Sequence, residues 1–87
     1  MRFGYWLMPC HGPRTNLTLA YEDDLGLAER AEDLGFEEFW VGEHHSGGWE
    51  LIPSPELFIA AAAQRTRRLR FGTGVISLPY HHPFLVA

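Results

Sequence analysis

The chain has 87 residues, enough for one small domain or for part of a larger one. Hydrophobic residues make up 46% and charged residues 21%, an ordinary globular balance that excludes a disordered tail. The net charge is −4, with seven arginines and no lysine against eleven acids, which argues against a general nucleic-acid binder. No apolar stretch approaches the roughly 20 residues of a membrane span, so no membrane role is expected. The start, Met1 to Trp6, lacks the basic, apolar and small-residue regions of a secretory signal. A single cysteine, Cys10, cannot form an internal disulfide, which fits a reducing interior and a cytoplasmic location.

Arg2 to Met8 is an apolar, aromatic run closed by Pro9, the pattern of a strand buried on both faces. From about Thr18 to Leu34, Tyr21, Leu25, Ala28, Ala31 and Leu34 recur every three or four residues, with acids opposite. This predicts an amphipathic helix, stopped at Gly35 by a left-handed turn. Phe39-Trp40-Val41-Gly42 is a second short strand, followed by a loop to Pro53 broken at Gly47-Gly48. Ser54-Pro55-Glu56 then opens a helix with a capping hydroxyl, proline at its first position and an acid in its first turn. That helix carries Leu57, Ile59 and Ala60 to Ala63 and ends near Arg65. Leu69 to Ser77 is a third strand, residues 78–83 a loop, and Pro83 the start of another helix.

Strand starts fall about 30 to 36 residues apart with helices between them, which predicts parallel strands joined by right-handed crossovers. The fold class expected is α/β, a β-α-β-α-β unit with parallel strands. Such a unit leaves both sheet edges bare, and the chain stops about one turn into a helix. Residues 1–87 are therefore expected to be the N-terminal part of a larger domain. A (β/α)8 TIM barrel of roughly 250 residues is the first choice and an open doubly wound sheet the alternative.

The five histidines are not scattered. His11 follows strand 1, His44 and His45 follow strand 2, and His81 and His82 follow strand 3. The carboxyl ends of parallel barrel strands share one face, and barrel active sites are built there. The turns at the other end, around Gly35-Phe36-Glu37 and Arg65-Thr66-Arg67-Arg68, contain no histidine. The arginines Arg65, Arg67, Arg68 and Arg70 lie at that end, beside a helix C-terminus whose dipole they complement, and read as a solvated structural group.

Metal-ligand spacing is missing: the histidines are adjacent pairs, whose side chains diverge on a strand or a helix, and there is no H-E-x-x-H or cysteine pair. No metal is expected. Gly72-Thr73-Gly74 echoes a dinucleotide fingerprint but lies in or at the end of a strand with no helix directly after it. Glycines there suit the close approach of a flat ligand. Cys10 reads as a small thiol at the edge of the core rather than a nucleophile.

Phe3-Gly4, Gly35-Phe36, Trp40-Val41-Gly42-Glu43-His44-His45, Ser54-Pro55, Gly72-Thr73-Gly74-Val75, Leu78-Pro79 and His82-Pro83 together resemble the N-terminal third of bacterial-luciferase-like flavin-dependent monooxygenases. Residues 44–50 and 78–83 are most similar to the limonene-monooxygenase-like branch. The resemblance implies a barrel binding reduced FMN at its carboxyl-end face. A separate flavin reductase supplies the FMN, and O2 and a small apolar, possibly terpene-like substrate are its other reactants. It implies a catalytic histidine at His44, which can relay protons because imidazole titrates near about 6.5. Glu43 is placed beside it, to hydrogen-bond the site, to orient a histidine, or to serve as a paired structural carboxylate. The family's non-proline cis peptide maps onto Gly74-Val75, against the flavin ring, and Met8 and Tyr80 line the flavin or substrate pocket or pack structurally. A homo-oligomer is expected. The residues that hold the flavin phosphate would follow residue 87, so the piece alone is expected to be inactive. The alternatives are an F420-dependent hydride-transfer enzyme of the same barrel family and a non-catalytic fragment or interaction module.

Overall fold

The computed structural model describes residues 1–87. Its elements run β1 (Gly4–Leu7), α1 (Leu17–Asp33), β2 (Glu38–Val41), α2 (Pro55–Arg65), β3 (Arg70–Thr73) and α3 (Pro83–Val86), with a 3-10 turn at Leu78–Tyr80. The strands lie in the order β1-β2-β3 and both pairings are parallel, as the strand-helix alternation predicts. Tyr5, Phe39 and Phe71 share one row of the register, and Leu7, Val41 and Thr73 share another on the same face. Trp6, Trp40 and Gly72 form the row between, on the other face.

α1 begins where the Asn16 side chain accepts the Leu19 N–H at 3.2 Å. It buries Ala20, Asp24, Leu25, Ala28 and Ala31. At its end Gly35 takes φ 86°, with its N–H on Glu32 O and the Phe36 N–H on Ala31 O, each at 3.0 Å. The glycine stop is thus in place. Leu34, which the spacing counts as core, is 72% exposed because the chain has already begun that turn.

α2 has Pro55 at its first position and Glu56 in its first turn, but the Ser54 hydroxyl makes no capping bond. The Ser54 carbonyl instead accepts the Leu57 N–H at 3.1 Å. Pro55, Phe58 and Ala62 face inward, and Leu57 is exposed. β3 ends at Thr73, short of the predicted Ser77. The Gly74 N–H still reaches Val41 O at 2.8 Å, after which the ladder stops, and the Ser77 N–H is taken by the Glu43 carboxylate. The Gly74–Val75 peptide is cis. Part of the expected loop, Leu78–Tyr80, is the 3-10 turn, closed by the Tyr80 and His81 N–H groups on Ser77 O and Leu78 O.

One core joins the layers. Leu7, Phe39 and Val41 of the sheet meet Leu25, Ala28 and Ala31 of α1, Phe58 and Ala62 of α2, and Ile52 and Leu69 from the connections. Tyr5 stacks on Phe39 at 5.2 Å and Phe71 meets it edge-on at 6.0 Å. Both helices contribute to this one core, so β1 is covered on one face, not two, and Trp6 and Trp40 stand partly exposed on the other. That face is tightly surfaced: a Cβ at Gly72 would lie 2.7 Å from the Trp40 ring, so only glycine lets the indole cross β3.

The end of the sheet away from the histidines is held by carboxylates. Glu32 accepts the N–H groups of Arg67, Arg68 and Leu69 at 2.9, 2.5 and 2.8 Å, tying α1 to the turn into β3. Arg65 makes a two-pronged bond to Glu22 at 3.0 and 2.9 Å, and Arg70 donates to Glu38 at 3.0 Å. The arginine cluster is thereby engaged within the fold.

Two outcomes follow for the intact protein. Phe39→Ala removes the wholly buried centre of the core and lowers unfolding free energy by about 3–5 kcal/mol, read from denaturant unfolding. The Arg68 and Arg67 N–H groups hold the Glu32 carboxyl below its ordinary 4.5, against partial burial, with help from Leu69 and the Arg68 charge. Its contribution to stability is therefore complete above pH 4.5 and fades as pH falls through the lowered value. The melting-temperature gap between wild type and Glu32→Gln should be widest at neutral pH and close in acid; a gap constant with pH would contradict this.

Candidate active site

The three strand-to-helix connections, residues 8–16, 42–54 and 74–82, emerge from the carboxyl ends of adjacent parallel strands and so share one rim. At its centre is Glu43, immediately after β2. Its side chain is wholly buried, and its carboxylate is fully occupied. Oε1 accepts from His45 Nε2 at 2.5 Å, Oε2 accepts the Ser77 N–H at 2.8 Å, and His81 Nε2 lies 2.9 and 3.0 Å from the two oxygens. Burial pushes the Glu43 carboxyl up, and the His45, Ser77 and His81 donors outweigh it, so it rests below its usual 4.5 and stays ionised at neutral pH. The His45 ring stacks on Tyr80 at 4.2 Å. One carboxylate thus gathers the loops after β2 and β3.

His44, next in the chain, turns to a different partner, as adjacent side chains in extended backbone must. Its Nδ1 lies 2.9 Å from Glu50 Oε2, and both side chains are partly open to solvent, at 27% and 29%. The pair is a close ion-pair contact rather than an aligned hydrogen bond. The β2–α2 connection that returns Glu50 to His44 bends through Ser46 and Gly48, at φ 57° and 70°. It is tied down by the His44 N–H on Ile52 O at 3.0 Å and the His11 N–H on Trp49 O at 2.6 Å. An antiparallel bridge between Cys10 and Glu50 and a bond from the Tyr21 hydroxyl to Leu51 O complete the anchoring.

His11 serves the rim from behind. Its Nε2 sits 3.2 Å from Asp24 Oδ2, off the hydrogen-bond line, and neither Oδ2 nor His11 Nδ1 has a hydrogen-bond partner. Burial pushes the Asp24 carboxyl up, His11 pulls it back, and Asp23 adds to the rise. His82 caps α3, its Nδ1 accepting the Phe84 N–H at 3.3 Å.

Of the residues singled out in the sequence, Glu43 and Tyr80 join the His45–His81 cluster, while His44 faces the β2–α2 connection. Gly74 is fixed beside Trp6, whose indole Nε1–H donates to Gly74 O at 3.0 Å. Val75 is 66% exposed, and Met8, two residues beyond Trp6, is exposed as well. Sequence reasoning missed Glu50, Ser77, Trp6 and Trp40. Trp6 and Trp40 are cross-strand partners beside the glycines of β3, a match that the strand register reveals. Glu50 and Ser77 carry no signal, because loop geometry alone brings them in.

A family model for luciferase-like monooxygenases matches residues 1–87. The chain is 59% identical over 85 residues to limonene 1,2-monooxygenase of Rhodococcus erythropolis, covering 98% of this chain and 22% of that protein. It is 61% identical over 85 residues to 4-hydroxyprotoasukamycin monooxygenase of Streptomyces nodosus subsp. asukaensis, covering 98% of this chain and 23% of that one. Among solved structures, it superposes with TM-score 0.91 and 32% identity on the oxygenating constituent of 3,6-diketocamphane monooxygenase from Pseudomonas putida. That protein is a type II Baeyer-Villiger monooxygenase in complex with FMN, and the match covers 99% of this chain and 24% of it. The monooxygenase RslO1 from Streptomyces bottropensis gives 0.90 and 39%, covering 99% and 27%. The chain spans about a quarter or less of the two curated relatives, and has the fold of the matching β-α-β-α-β part of the luciferase-like barrel. Matched over its full length, the chain belongs to the luciferase-like monooxygenase family.

Proposed function

We propose that residues 1–87 are the N-terminal part of a (β/α)8-barrel flavin-dependent monooxygenase that uses reduced FMN and O2 to oxidise a small, apolar, terpene-like substrate. The observation that carries this reading is the rim itself: a part-exposed histidine, His44, beside a buried Glu43–His45–His81–Ser77 network, at the carboxyl end of β2. The limonene and diketocamphane monooxygenases among the similar proteins support the substrate class, and the FMN held by the solved 3,6-diketocamphane enzyme supports the cofactor.

The open sheet face fits a flat ring. Gly72 and Gly74 project nothing from it, a Cβ at Gly74 would lie 3.1 Å from Trp6 Nε1, and the Val75 side chain is exposed beside it. Gly74 and Val75 would hold the flavin by backbone approach and apolar contact, with Met8 and Tyr80 at its margin. Reduced FMN would supply the electrons and the site of O2 activation. The chain's own work is positional and protonic. His44 exchanges a proton through Nε2, the ring nitrogen its partner leaves free. Glu43 is a positioning residue: it holds His45 and His81 by their Nε2–H groups and, through Ser77, fixes the segment leaving β3. The apolar indoles of Trp6 and Trp40 limit water at the face. A separate reductase delivers the reduced flavin, and the whole enzyme works as a cytoplasmic homo-oligomer that binds neither membrane nor nucleic acid. Consistent with the last point, no helix is long and apolar enough to cross a membrane, and the charge is −4.

Supplied with reduced FMN, a cyclic monoterpene and 18O2, the intact enzyme should place one labelled oxygen in the product. Unlabelled product, with selective binding of a deazaflavin in place of FMN, would replace this reading with F420-dependent hydride transfer. In the same enzyme His44→Ala should lower turnover by about 10²–10⁴ while leaving FMN affinity within a few-fold of wild type. Unchanged turnover removes His44 from the proton path.

A further inference from the structure

Glu50 is not part of any strand or helix, yet its carboxylate sits 2.9 Å from His44 Nδ1. Three features make this contact a built one. The Glu50 backbone is anchored by the bridge to Cys10, on the loop after β1. The neighbouring Trp49 carbonyl accepts the His11 N–H at 2.6 Å, so the segment approaches His44 from a fixed direction. The turn between them is a tight one, with Gly48 at a positive φ of 70° that favours glycine. On the imidazole's other edge a Cβ at Gly42 would lie 3.1 Å from Nε2, so glycine there leaves room beside this nitrogen.

We propose that Glu50 is the positioning residue for His44, holding its proton on Nδ1 so that Nε2 presents a lone pair toward the site. This rests on the reading that His44 transfers protons in the monooxygenase. A histidine with nothing on Nδ1 favours the proton on Nε2, which would leave the site-facing nitrogen a donor with no capacity to accept. A carboxylate on Nδ1 reverses that preference and stabilises the imidazolium formed once Nε2 takes its proton. The step is balanced: Nε2 gains one proton from the reacting group and returns it, and the Nδ1 proton stays with Glu50. Glu43, the other acid next to His44 in sequence, is occupied by His45, His81 and Ser77. Glu50 is the acidic group in contact with this ring.

The test uses the intact enzyme with 15N-labelled histidine, in wild type, Glu50→Ala and Glu50→Gln, the His44 signals being assigned through His44→Asn. Wild type should show His44 protonated at Nδ1 when neutral, and Glu50→Ala should show the proton moved to Nε2. Turnover should fall about 10²-fold in Glu50→Ala, with KM and FMN affinity nearly unchanged, and by less in Glu50→Gln, whose amide oxygen still accepts from Nδ1. Because Glu50 pairs with Cys10 through its backbone, both variants retain that anchor, and unchanged FMN affinity checks that the loop is intact. If His44→Asn abolishes turnover while Glu50→Ala leaves both tautomer and turnover as in wild type, the role of Glu50 is overturned and that of His44 stands. If neither substitution lowers turnover, the proton-transfer reading of His44 fails with it.

Discussion

A carboxylate with no exposure to water must find hydrogen-bond donors inside the protein, and at Glu43 that requirement organises the carboxyl end of the sheet. Its two oxygens are met by the backbone of Ser77 and by two imidazoles, His45 from its own loop and His81 from the loop after β3. Beyond the end of β3, the Ser77 N–H serves the acid and fixes the segment leaving the sheet. The same requirement turns His45 under Tyr80, and commits His45 to Glu43 while the adjacent His44 faces Glu50. The arrangement of the rim is in this sense the solution to one buried charge.

The opposite end of the sheet uses the same device with another purpose. There Glu32, at the last turn of α1, gathers three consecutive backbone N–H groups that would otherwise be unpaired at the entry to β3. Arg65 and Arg70 add ion pairs to Glu22 and Glu38. These contacts hold helices and strands in register and bring no imidazole together. Imidazoles therefore gather at the carboxyl ends and arginine–carboxylate pairing at the amino ends of the strands.

Between the ends, the two faces of the sheet do different work. The helix-covered face is a packed aromatic and aliphatic core centred on Phe39. The other face is a thin layer of indole and glycine in which Trp40 crosses Gly72 and Trp6 bonds to the Gly74 carbonyl. Toward the carboxyl ends this face sets indole on one strand beside bare glycine on the next, and at the amino ends Glu38 and Arg70 occupy it.

Periodicity and punctuation were enough to determine the element order, the parallel direction of the strands, the glycine stop at Gly35 and the gathering of all five histidines at one end. Each of these depends on neighbours close in sequence or on chain connectivity. The motif around Glu43-His44-His45 falls where a buried carboxylate meets two imidazoles. Local patterns did not determine which groups meet across loops. Nothing in the helix pattern shows that Asp24 lies buried against His11. Ser54 was read as a cap and is bypassed by its own carbonyl, and Leu34 was counted in the core but falls on the turn. Glu50 looked like an ordinary loop acid until the bridge to Cys10 and the bends at Ser46 and Gly48 carried it back to His44. Such pairings join residues from separate connections, and their partners are chosen by where the folded backbone leaves an unsatisfied donor or acceptor, which only the tertiary structure decides.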